Sequence, residues 1–280
     1  MSTKGKKFVS PGAWFSLIYP SSWNEFEDAE DNFLFYNPNK WTGNFRISAY
    51  RDEKNSKYGT ESVDYELKEN KNSSRIEVGN LVCAYSKEMF QEEGAYYVTH
   101  VWITGIGNVA FECTFTVLRG GDIIEAENII STLSVYAKGE QPELEIIPIR
   151  VLEINTVNEA FEWASATVKK QLKKDFTSLD EDIDKIQQLI DKGSFKPQQK
   201  EVWQSFGIAL GSIIESQIDG MEWVTAIKGK QEVPALKFKE TSLIIYPTEL
   251  IWNQIRSGLQ CDVKAVYEGV KQKVEEELNK

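Results

Sequence analysis

The sequence predicts an α+β protein of two domains, on three observations. The first half alternates strand-like and helix-like stretches in the order β-β-β-α-β-β-β-α, the pattern of an antiparallel sheet flanked by helices. The second half carries long helical stripes around three short strands, as expected of a helix-rich α+β domain with a small antiparallel sheet. Between them, Lys138-Gly139-Glu140-Gln141-Pro142 is polar and rich in breakers. The boundary is therefore expected there, with domains at residues 1–140 and 141–280.

The first strand, Phe15-Ser16-Leu17-Ile18-Tyr19, is stopped by Pro20, which has no N–H to give to a ladder. Ser21 and Ser22 turn the chain, so that Trp23 can fold back over the sheet with its large apolar area. Asn32–Tyr36 and Asn44–Tyr50 follow as strands, the latter with Phe45, Ile47 and Ala49 on one face. Thr60–Asn70 reads as a helix capped by Thr60, with Val63 and Leu67 four apart. Leu81–Phe90, Ala95–Thr104 and Val109–Leu118 are three more strands, the last two joined by the hairpin loop Gly105-Ile106-Gly107-Asn108. Asp122 opens a helix with Glu125 three residues on, and Ile123, Ala126, Ile130 and Leu133 share one face of it.

In the second half, Glu145–Ile154 reads as an extended strand. Thr156 and Glu159 form a capping box for a helix striped by Phe161, Ala164, Val168 and Leu172. Leu179, Ile183, Ile186 and Ile190 trace another helix, ended by Gly193. Pro197–Gln217 is a long third helix. Strands near Glu222–Ile227, Ala235–Lys239 and Leu243–Tyr246 precede closing helices at Thr248–Arg256 and Val263–Leu278.

Composition excludes several functional classes. The chain has 280 residues, enough for two cores, and its eight tryptophans fall four to each half. Net charge is −11, and residues 1–140 carry 14 Lys and Arg against 20 Asp and Glu, so neither half suits a phosphate backbone. The basic stretch Met1–Lys7 is not followed by an apolar run, so no secretory signal is expected. No segment approaches 18 apolar residues, and no membrane partner is expected. Cys83, Cys113 and Cys261 are odd in number and widely spaced, which argues against a disulfide framework and for a cytoplasmic location.

Chemistry-bearing motifs are sparse. His100 is the only histidine and shares a strand face with Tyr96, Val98 and Trp102, the setting of a packed residue. One histidine rules out a multi-histidine metal centre, and no C-x-x-C spacing suggests zinc. Asp180-Glu181-Asp182-Ile183-Asp184 imitates a calcium loop, but Lys185 stands where the sharp turn needs glycine. The acids fit a helix's first turn better. Gly120-Gly121-Asp122 reads as the approach to a helix, since Asp122 would repel a phosphate. Gly207 and Gly211 share a helix face, as a close crossing requires. Trp41 lies in Asn37-Pro38-Asn39-Lys40-Trp41-Thr42-Gly43-Asn44, otherwise made of turn residues. A tryptophan there is either tucked under the loop or exposed for contact, and it is the one residue expected to touch a partner. No catalytic, cofactor-binding or metal-ligating residue is expected.

Phe15–Pro20 with Trp23, the long aromatic strands through Tyr97 and Phe111, and the closing helix Ile123–Leu133 make residues 8–136 resemble the PsbP-like, or Mog-type, fold. The pairing with a second half carrying Gly207, Gly211, Trp223 and Tyr246-Pro247 looks like a two-domain bacterial protein whose halves resemble two families of unknown function. The resemblance implies a binding, chaperone or assembly module with no catalytic residue to carry over. Fold alone transfers no function. The expectation is a non-enzymatic cytoplasmic protein that binds another protein, as adaptor, chaperone or toxin-neutralising partner, without cofactor. The alternative is a carboxylate-dependent hydrolase or small-ligand-binding protein with a cleft between the domains, for which 43 acidic residues leave ample material.

Overall fold

A computed structural model of the chain describes residues 5–29, 32–137 and 143–280. The expected linker, residues 138–142, lies outside the described residues. The chain divides into two compact units, Met1–Glu143 and Leu144–Lys280.

In the first unit the order is β1 (Gly5–Val9), β2 (Phe15–Pro20), β3 (Asn24–Ala29), β4 (Asn32–Tyr36), β5 (Asn44–Arg51), α1 (Tyr58–Glu69), β6 (Ser74–Val78), β7 (Leu81–Glu92), β8 (Ala95–Ile106), β9 (Val109–Leu118), α2 (Ile124–Ser131) and β10 (Ser134–Val135). Seven antiparallel strands form one sheet in the order β3-β4-β5-β9-β8-β7-β6, and a second sheet runs β1-β2-β10. Strand alternation decides which side of the large sheet is dry. Phe45, Ile47 and Ala49 of β5 face Phe115, Cys113 and Phe111 of β9, and all six are buried. The small sheet lays Phe8 and Phe15 on this face, with Phe8–Phe35 and Phe15–Phe111 ring centroids both 5.3 Å apart. Trp23 is buried and stacks on Phe115, so the tryptophan three residues after the proline does fold back over the sheet. Ala126, Ile129 and Ile130 of α2 complete this core.

Four strands depart from the sequence expectation of six strands in this half: β1, β3, β6 and β10 were not foreseen. All four are edge strands of their sheets. An edge strand has one ladder neighbour and tolerates polar residues, so the alternation that betrays a central strand is weak in it. Thr60 does not cap α1; the helix starts at Tyr58 and Lys57 holds the cap position without a side-chain bond. The hairpin loop shrinks to Gly107-Asn108, because β8 and β9 pair to Ile106 and Val109.

In the second unit, β11 (Glu145–Pro148), α3 (Val151–Leu172), α4 (Glu181–Asp191), α5 (Lys200–Gln217), β12 (Met221–Lys228), β13 (Gln231–Phe238), β14 (Ile244–Ile245), α6 (Pro247–Leu250), α7 (Trp252–Arg256) and α8 (Val263–Leu278) follow one another. The antiparallel sheet runs β11-β12-β13-β14. The expected strand Glu145–Ile154 ends at Pro148, and α3 begins at Val151, so the Thr156–Glu159 box lies inside a helix. Thr156 Oγ1 donates to the Leu152 carbonyl there.

A buried charge network secures the start of α3. Arg150 is 2% exposed; its Nε donates to Glu153 Oε2 at 2.8 Å and its Nη2 to Glu232 Oε2 at 2.7 Å. Thr225 Oγ1, on β12, donates to Glu153 Oε2 and accepts from the Arg150 backbone N–H. Burial alone would make the guanidinium easier to deprotonate, but the Glu153 and Glu232 carboxylates outweigh it and push its pKa up. The calcium-like run opens α4, with Asp180 at the cap position and Glu181 to Asp184 in the first turn, and Lys185 Nζ lies 2.6 Å from Asp182 Oδ1 and 2.9 Å from Glu181 Oε1. Gly207 and Gly211 make the close crossing. A Cβ on Gly207 would lie 2.1 Å from the Pro247 carbonyl oxygen, and one on Gly211 2.8 Å from Pro247 Cβ. Pro247 itself opens α6, where its missing N–H costs nothing. No helix among the described residues is long and apolar enough to cross a membrane.

Candidate binding groove at Trp41

Trp41 is held in place by its own loop. Asn37 Oδ1 accepts from the Asn39 and Lys40 backbone N–H groups, which folds residues 37–40 into a tight turn. Gly43 has φ +124°, and a Cβ on it would lie 2.2 Å from the Phe115 ring, so only glycine lets the loop close onto the sheet here. The Trp41 indole N–H donates to Asn44 Oδ1 at 3.1 Å, and its ring meets Tyr97 edge-on at 5.8 Å. The side chain is nonetheless 41% exposed.

Opposite Trp41, the chain leaves β9 and turns into α2. Gly121 fits there because a Cβ would lie 2.5 Å from Val117 Cγ2, and Asp122 Oδ1 accepts from the Ile124 N–H at the start of the helix. Together they bound a groove of about 470 Å³ floored by Phe115 and Val117 and walled by Trp41, Leu118 and Ile124. Leu118 is 45% and Ile124 60% exposed. Asp122 and Glu125 are the charged residues of the lining. Burial, with Asp122 adding its charge, raises the Glu125 carboxyl pKa.

Trp41 thus has company that the sequence reading missed. Ile124 lies off the buried stripe of α2, which Ala126 and Ile130 occupy. An isoleucine away from its helix's apolar stripe is the signal that would have found it.

His100 and the three cysteines are held within the packing of the fold. His100 Nδ1 lies 2.6 Å from the Tyr85 hydroxyl, and its ring stacks on Trp102. Burial, and then Lys87, lower its pKa below the ordinary value of 6.5. As pH falls, the unfolded chain therefore takes up this proton first. The residue's contribution to stability starts to decline near pH 6.5 and is lost as pH passes through the folded value. The chain's single imidazole resonance is expected to titrate below pH 6.5 by NMR; a midpoint at or above 6.5 contradicts this packing. The thiols are protonated at neutral pH: burial raises the pKa of Cys83 and Cys113, and pushes Cys261 up to about 11. No group of three or more His, Cys, Asp or Glu among the described residues is arranged to hold a metal ion.

Residues 3–158 match the family described as Domain of unknown function (DUF3805), and residues 182–267 match Domain of unknown function (DUF3806). A crystal structure from Bacteroides thetaiotaomicron VPI-5482 is 50% identical over 95% of this chain and 98% of that one, with a TM-score of 0.91. Similar structures also include a PsbP protein, CyanoP of Synechocystis sp. PCC 6803, at 10% identity over 49% of this chain and 95% of that one. LpqN of Mycobacterium tuberculosis, involved there in cell envelope biogenesis, is 11% identical over 47% and 91%. Both have a TM-score of 0.28. No curated protein matches the chain. With its first match spanning more than half of its length, the chain belongs to the family of the Domain of unknown function (DUF3805).

Proposed function

We propose that this protein is a non-enzymatic binding module for another protein, and that the partner docks in the Trp41 groove. The observation that carries the reading is the convergence of three exposed large apolar side chains, Trp41, Leu118 and Ile124, on one groove. A tryptophan beside a concave apolar floor is the form that interface anchors take, and such anchors supply most of the binding energy. Asp122 and Glu125 favour a partner segment that places an apolar side chain in the groove with a basic residue next to it.

A photo-crosslinking amino acid at position 40, exposed beside Trp41 and leaving that anchor intact, in cells of the source organism, is expected to give one protein adduct of discrete mass. Ile124→Asp should abolish that adduct while leaving the thermal midpoint within a few degrees, because Ile124 is exposed. The same probe at Lys273, on the polar surface of α8, should give none. Equal adducts at 40 and 273, or an adduct insensitive to Ile124→Asp, would overturn the proposal.

A further inference from the structure

α1 carries an unusual stripe on the flank of its contact with the large sheet. Tyr58, Glu61, Ser62, Tyr65 and Glu66 recur at i, i+3, i+4, i+7 and i+8, the spacing at which a helix ordinarily lays aliphatic residues on a sheet. Here the positions carry phenols, a hydroxyl and carboxylates. Burial on α1 is confined to Gly59 and Val63. Gly59 brings the start of the helix to the backbone of Gly105, while Tyr65 of the stripe stays 66% exposed beside that contact. An open cavity of about 570 Å³ runs along this stripe, with the sheet on its other side.

The sheet side of the cavity matches the helix side. Tyr50 closes it from β5, Asp52 from the loop beyond, and Glu112 from β9, where strand alternation turns it away from the core. The lining therefore holds three tyrosines and four carboxylates, with no lysine or arginine. The hydrogen bonds made by these carboxylates come from neutral donors: Asn55 to Glu61 at 2.6 Å, Asn70 and the Ser73 hydroxyl to Glu66 at 2.7 and 3.2 Å, and the Lys54 backbone N–H to Asp52 at 2.8 Å. Among the described residues, no cation pairs with any of the four.

We infer that this cavity is a binding site for an organic cation, taking an ammonium or guanidinium group against the tyrosine rings with the carboxylates balancing its charge. Aromatic faces attract such cations, and the attraction strengthens as water is displaced. The volume lies in the range of small-ligand sites. The site is separate from the Trp41 groove and does not depend on the protein-binding proposal.

The test is calorimetric titration of the full chain with spermidine, with N-acetyl-arginine amide, and with neutral N-acetyl-glutamine amide. Saturation at one molecule per chain is expected for one or both cations; which of them binds distinguishes a polyamine from a guanidinium source. The glutamine amide should not bind. Glu112→Gln and Tyr65→Ala, both at exposed positions that fold safely, should each weaken the cation about tenfold. Glu240→Gln, on a fully exposed side chain of the other unit, should leave it unchanged. The inference fails if neither cation saturates, if the neutral amide binds as well, or if Glu240→Gln weakens binding as much as the cavity variants. The last result would mean that the net charge of −11 merely collects cations over the whole surface.

Discussion

Replacing Arg150 with alanine is expected to cost the second unit about 3–5 kcal/mol. The substitution removes the cation from Glu153 and leaves a buried carboxylate with only Thr225 as a donor. Glu232 suffers less, because it keeps 14% of its side-chain surface in water. The cost lies mainly in stranding a charge rather than in losing an attraction. The double variant Arg150→Met/Glu153→Leu should therefore be more stable than Arg150→Ala alone. Peptide-resolved hydrogen exchange over residues 144–280 measures this without assuming that the two units unfold together. A double variant no more stable than the single one would show that the network's value is in the pairing itself.

Gly59→Ala is the second large effect. A Cβ at position 59 would lie 2.5 Å from the Val109 carbonyl oxygen and 2.8 Å from the Gly105 Cα. Both obstacles are backbone in a paired hairpin, so α1 must move instead. The expected loss is about 1–3 kcal/mol, as for overpacking a tight contact. It arises although alanine is the better helix former by about 1 kcal/mol. Gly269→Ala in α8 isolates that propensity, since nothing lies within 4 Å of its added carbon; it should stabilise the protein. Opposite signs at two helical glycines, read by thermal unfolding, would separate space from propensity. Lifting α1 should also weaken cation binding without altering any side chain of the cavity, because Tyr58 and Tyr65 move with the helix.

Central strands and long helices were legible because burial leaves a period in the sequence. Phe45, Ile47 and Ala49 alternate because one face of β5 is buried in the core, and Val263–Leu278 is observed at its expected bounds, with Asp262 capping it by accepting from the Ala265 N–H. Edge strands carry no such obligation, and β1, β3, β6 and β10 were missed together. The start of α3 was missed for a different reason. Arg150 and Glu153 look like surface charges in sequence, and only β12 and β13, some 75 to 80 residues away, supply the Thr225 and Glu232 that let them be buried.

Trp41 was singled out because it is a large apolar residue among turn residues, a purely local anomaly. Its exposure, and the presence of Leu118 and Ile124 beside it, follow from contacts across some 80 residues of chain. The tyrosine and glutamate stripe of α1 has a helical spacing, yet it borders a cavity only because the fold sets it beside Tyr50 of β5 and Glu112 of β9.

By itself the sequence determined the α+β class, the dry faces of the central strands and the turn that carries Trp41. Each follows from the local period of burial or from a backbone restriction at proline and glycine. Tertiary structure alone decided which polar residues are buried, which apolar ones are left in water, and which side chains meet around a groove or cavity. Those outcomes depend on neighbours far apart in the chain, whose proximity no local pattern records.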